Sequence, residues 1–112
     1  MKVVINSCHG GFGLSDEAIE LYLVKSGLEF RKEKGEYFSL VGYEYYVDGE
    51  YWSDREISRS DPLLVEVVEE LGEKANGRCA ELTIVEIPDD VEWHVAEYDG
   101  YEHIAENHRT WP

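Results

Sequence analysis

Short hydrophobic runs, each closed by a glycine or an acid–glycine pair, set the pattern of this chain. In "KVVIN" the apolar residues Val3, Val4 and Ile5 are consecutive and β-branched, which predicts a buried first strand. The glycine-rich break "SCHGGFGLS" follows. Ser15 offers an N-cap hydroxyl, and Asp16 and Glu17 suit the positive end of a helix dipole. Ile19, Leu21, Tyr22 and Leu23 then run on to Gly27, predicting a helix of about three turns.

"LEFRKEKGEYFSLVG" follows neither period and reads as irregular, with short extended pieces. Tyr43 to Val47 reads as a strand that turns at Asp48-Gly49, a dipeptide suited to positive φ. The strongest helix signal comes next. Ser60 or Asp61 caps it, Pro62 fits its first turn, Leu63, Leu64, Val67, Val68 and Leu71 recur at helical spacing, and Asn76-Gly77 is its expected end. "ELTIVEI" predicts a strand stopped by Pro88. "VEWHVAEYDGYEHIAEN" predicts a second hairpin, with Val91, Trp93 and Val95 on one face and a turn at Asp99-Gly100. The tail "HRTWP" carries aromatic and cationic residues and is expected to dock on the body. No internal repeat or low-complexity stretch interrupts this order. It predicts an α+β fold: a single small domain over residues 1–112, two helices packed on a mixed, mostly antiparallel sheet.

Composition narrows the function classes. A chain of 112 residues with 43% hydrophobic content supports one core. Ten Lys and Arg against 25 Asp and Glu give a net charge of −15, which opposes direct contact with nucleic acid or an anionic membrane and favours basic protein surfaces. No run approaches the roughly 18 apolar residues of a membrane span, and Val3 to Ile5 is too short for a signal-peptide core. Cys8 and Cys79 belong to no CxxC pair and read as free thiols in a reducing compartment. A cytoplasmic protein without a cofactor is the expectation.

The chemistry-bearing candidates are few. "GGFG" between a strand and a capped helix can present backbone N–H groups to an anion, or can simply be a tight turn that sends Phe12 into the core. Neither GxGxxG nor GxxxxGK[ST] is present, so a nucleotide-hydrolysing P-loop is not expected. Cys8 lies near a helix N-terminus, where a thiolate is favoured, but adjacent residues of an extended segment point apart, so His9 is not its base. The histidines and cysteines show no metal-ligand spacing, and no metal is expected.

Arg55, Arg59, Arg78 and Arg109 lie in the second half, amid serines and acids. Each either pairs with a local acid such as Asp54, Glu56 or Asp61, or reads phosphate. Phe12, Tyr43, Tyr45, Tyr46, Tyr51, Trp52, Trp93, Tyr101 and Trp111 exceed the needs of a small core and suit base stacking or an oligomer interface. Together these residues give an expected site for a small anionic, nucleotide-like ligand. It comprises Asn6, Cys8, Gly10, Gly11, Phe12, Gly13 and Ser15 at the turn, Arg55, Arg59 and Arg109 for charge, and Tyr45 and Trp111 for stacking, with a homo-oligomer as its setting.

The motifs also resemble a group of small bacteriophage and prophage proteins. These open K-V-V-I-N-x-C-aromatic-G-G-F-G-L-S, carry D-R-x-x-x-R-x-D-P-x-L, and close with A-x-L-x-I-V-E-I-P-D-x-V-x-W, Y-D-G and H-R-T-W. The matching positions are Lys2 to Asn6, Cys8, Gly10 to Ser15, Asp54-Arg55, Arg59, Asp61-Pro62, Leu64, Val67 to Leu71, Asn76-Gly77, Leu82, Ile84 to Asp89, Val91, Trp93, Tyr98 to Gly100 and His108 to Trp111, most of the chain outside residues 25–50. His9 departs from the group's aromatic. The resemblance implies a phage origin and little chemistry, and by class a compact acidic phage domain without a cofactor motif is expected to act in the host cytoplasm as a counter-defence factor. Its forms, in order, are a non-enzymatic sponge that sequesters a host immune signal, an acidic, DNA-mimic-like inhibitor of a host defence enzyme, and a small nucleotide-acting enzyme using Cys8, His108 or a carboxylate.

Overall fold

The computed structural model describes residues 1–34 and 43–106. Val3, Val4 and Ile5 lie in β1 (Lys2–Asn6) and are buried, as consecutive β-branched residues in a covered strand should be. Ser15 caps α1 (Asp16–Lys25) by accepting the Ala18 N–H at 3.1 Å. Phe30–Lys34 forms β2 within the stretch expected to be irregular. It owes this to pairing with β3 (Tyr43–Val47), Phe30 opposite Val47. Asp48 and Gly49, with φ of 53° and 80°, turn β3 into β4 (Glu50–Trp52), as the Asp-Gly signal predicts.

After a 3₁₀ turn at Asp54–Glu56, Asp61 caps α2 (Pro62–Leu71), its Oδ1 accepting the Leu63 N–H at 2.9 Å. The α-helix ends earlier than Asn76-Gly77. Gly72 takes φ 57°, which breaks the helical ladder, and Gly72–Ala75 continues as a 3₁₀ turn. β5 (Leu82–Glu86) follows, and a second Asp-Gly turn at Asp99-Gly100 joins β6 (Trp93–Tyr98) to β7 (Tyr101–Glu106).

The class is α+β, with two helices and seven strands among the described residues. Strand pairing differs from a single mixed sheet. β1 pairs with β5, β2–β3–β4 form a meander, and β6 pairs with β7, every one of these pairs antiparallel. The core lies between β1 and the helices, where Val4, Leu14, Ala18, Leu64, Val67 and Ala75 pack together. Among the described residues no helix is long and apolar enough to cross a membrane. The expected docking of "HRTWP" lies outside the described residues.

Candidate functional site

Asn6, at the end of β1, is fully buried and organises the glycine-rich turn. Its Nδ2 donates to the Cys8 carbonyl at 2.7 Å and the Gly100 carbonyl at 2.8 Å, and its Oδ1 accepts the Glu81 N–H at 2.8 Å. One side chain thus ties β1, the segment before β5 and the β6–β7 turn together. A Cβ built on Gly10 falls 1.8 Å from the Cys79 carbonyl oxygen, so the turn is a place where backbones cross at close range. Cys8 Sγ lies 3.3 Å from Asn6 Oδ1 and 3.0 Å from the Cys79 carbonyl oxygen, which share its one S–H. His9 instead sets its ring 5.3 Å from that of Tyr101, so the two neighbours part company.

The turn is also flanked by an anion of its own. Asp54 Oδ2 accepts the Leu14 N–H at 3.0 Å, and Ser15 is spent on capping α1 and on donating to the Lys74 carbonyl at 2.6 Å. The amides of Gly10, Gly11, Phe12 and Gly13 meet no acceptor among the described residues.

Arg59 does not pair with a neighbouring acid. It donates through Nη1 and Nη2 to both carboxylate oxygens of Glu102, at 2.6 and 2.8 Å, 43 residues away. Its guanidinium carbon also lies 3.5 Å from the centroid of Phe12. Burial opposes ionisation of Glu102, but the Arg59 hydrogen bonds, the Asn6 N–H and the Arg59 charge outweigh it and hold the carboxyl below the ordinary range. Tyr45 is 2% exposed, and its hydroxyl lies 3.1 Å from a carboxylate oxygen of both Asp16 and Glu20, which share its one proton. That burial and those two carboxylates push its phenol well above the usual value, and its ring has no open face for a base. Arg55 is exposed on the 3₁₀ turn. Arg109, Trp111 and His108 lie outside the described residues. No group of three or more His, Cys, Asp or Glu is placed for a metal ion among the described residues.

A second feature lies on the meander. Asp48, Glu50, Glu56, Tyr51 and Trp52 line, with Val47, an open cleft of about 310 Å³. Tyr51 is 66% exposed, and Trp52 is backed by the stacked ring of Tyr22 at 6.1 Å. Sequence reasoning placed these aromatics but missed the carboxylates beside them, although "VDGEYW" puts both on one tight hairpin. Comparison with protein-family models, curated proteins and solved structures returns no match.

Proposed function

We propose that the chain is a non-enzymatic acidic binding domain that engages a basic surface of a partner protein. The observation that carries this reading is the cleft lined by Asp48, Glu50 and Glu56 together with Tyr51 and Trp52, and by no described lysine or arginine. Carboxylates attract a cationic side chain and the ring faces hold it. The same meander already seats cations on tyrosine, Arg31 at 4.6 Å from Tyr46 and Lys32 at 4.5 Å from Tyr43. A net charge of −15 adds long-range steering. The resemblance to phage proteins supplies an origin, and the acidic charge suggests the partner: a host defence enzyme whose nucleic-acid groove is basic, met in the host cytoplasm.

A second reading, the phage sponge for a nucleotide-like signal, draws on the amides of Gly10 to Gly13 and the exposed Arg55, completed between protomers of a homo-oligomer. The ion pair of Arg59 and the burial of Tyr45 take two of its contacts away. One experiment separates the readings. The protein is dialysed against linear and cyclic nucleotides and bound material is identified after denaturation, while a Lys-rich peptide is titrated at rising salt. Peptide binding that weakens steeply with salt, without nucleotide retention, is the expected result. A nucleotide returned intact favours the sponge, and one returned altered favours an enzyme.

A further inference from the structure

The free edge of β5 offers a surface separate from that cleft. Hydrogen-bonded pairs alternate along an antiparallel ladder, and the β1–β5 register fixes their phase. Met1 and Ile87 exchange both backbone bonds at 2.8 Å, and the Ser7 N–H reaches the Glu81 carbonyl at 2.8 Å. With Val3 opposite Val85 and Ile5 opposite Thr83, the backbone groups of Thr83 and Val85 turn toward β1, and those of Leu82, Ile84 and Glu86 turn away.

The two outer edges of this sheet are treated differently. On β1, the Val4 N–H is taken by the Arg59 carbonyl at 2.8 Å, and the Asn6 N–H by Glu102 at 2.8 Å. On β5, Asn76 Oδ1 takes the Leu82 N–H at 2.9 Å. The N–H and C=O of Ile84 meet no partner among the described residues. Beside this open edge lies a cavity of about 370 Å³ with an apolar floor of Val68, Leu82 and Ile84 and an acidic rim of Glu73 and Glu81. It adjoins the C-terminal end of α2, the negative pole of the helix.

An apolar floor under a carboxylate rim fits the methylene stem and charged head of lysine or arginine. We propose that β5 accepts an extended segment of a partner protein as an added strand, with a Lys or Arg of that segment entering this cavity. The ladder supplies affinity through the Ile84 backbone, and the cavity supplies the preference for a basic side chain. A second copy of this chain fits poorly, since β5 against β5 gathers Glu81 and Glu86 of two chains that each carry −15. The inference rests on the reading above only for the sign of the partner's charge.

The test titrates the full, isotopically labelled chain with a short acetylated peptide of alternating Val and Lys, and with forms of it N-methylated at either alternate set of amides. The parent peptide is expected to slow hydrogen exchange at the Ile84 amide, and methylation of the pairing set to weaken binding by about tenfold. Glu73→Lys with Glu81→Lys weakens the parent peptide likewise, while Asp48→Asn with Glu50→Gln leaves the Ile84 protection in place. Equal affinity for parent and both methylated peptides overturns strand addition yet leaves the charge-based reading standing. Unchanged Ile84 exchange at saturating peptide also overturns it. Ile84 protection that grows with protein concentration in the absence of peptide overturns it in favour of a second copy.

Discussion

Arg59 and Glu102 meet through paired hydrogen bonds of 2.6 and 2.8 Å and close the edge of β1 that faces away from β5. Where another strand would stand, a guanidinium and a carboxylate supply the ladder partners: Arg59 Nη1 donates to the Val4 carbonyl at 3.3 Å, and Glu102 accepts the Asn6 N–H at 2.8 Å. The pair therefore binds the segment before α2, β1 and β7 into one unit. Removing either member strands the other.

Glu102→Ala should lower stability by about 3–5 kcal/mol, because it leaves a half-buried guanidinium and the Asn6 N–H without their acceptor. Arg59→Ala should do comparable harm, and the double variant should lose less than the sum. Denaturant unfolding of the four proteins checks this. Additive losses would show that the two residues act separately.

Acid should expose the same pair. Glu102 titrates below its ordinary value in the folded chain, so the unfolded chain takes up its proton first. Its stabilisation is complete above the ordinary carboxylate pKa of about 4.3, declines as pH falls below that value, and is lost through the folded pKa. Stability measured against pH should fall more steeply there in the parent than in Glu102→Gln. Parallel curves would contradict the linkage.

The two ends of the glycine-rich turn should respond differently to one methyl group. Gly10→Ala places a carbon 1.8 Å from the Cys79 carbonyl oxygen, which is backbone and cannot yield without moving the chain. A loss of about 2 kcal/mol or more is expected. Gly13→Ala meets nothing within 4 Å and should stay within about 0.5 kcal/mol. Thermal melts of both variants test whether the turn is a backbone crossing; equal melts would show that it is not.

Tyr45 should govern behaviour in alkali. Burial and the carboxylates of Asp16 and Glu20 raise its phenol in the folded chain, so the unfolded chain ionises first. Its contribution is whole below the ordinary tyrosine pKa of about 10 and is lost as pH climbs toward the folded value. Tyr45→Phe should cost about 1.5–3 kcal/mol at neutral pH, through loss of the one O–H that Asp16 and Glu20 share, and should flatten the alkaline decline. An unchanged alkaline curve would assign that decline to other groups.

Signals confined to a few neighbouring residues were legible in the sequence. Asp48-Gly49 and Asp99-Gly100 form the expected hairpin turns because their positive φ is a local demand, and Asp61-Pro62 starts α2 as capping chemistry requires. The end of α2 was misread because Gly72 also suits a left-handed stop and comes first. Relationships across the chain were not legible. Asn6 was chosen as a ligand contact, yet its amide is committed to Cys8, Glu81 and Gly100, and no local pattern announces partners 75 and 94 residues away. Arg59 reads locally as either a partner of a nearby acid or a phosphate contact, while the acid that holds it comes from β7.

On the proposed function, the cleft of Asp48, Glu50 and Glu56, and not charge in general, recognises a basic partner. The most direct measurement is calorimetric titration of a Lys-rich peptide into two variants of equal net charge. One carries Asp48→Asn, Glu50→Gln and Glu56→Gln, and the other carries Glu17→Gln, Glu92→Gln and Glu106→Gln, at exposed positions that do not line the cleft. The first should lose about tenfold or more in affinity while the second stays within about threefold of the parent. Equal losses in the two would show that net charge alone attracts the peptide, and the cleft would lose its role.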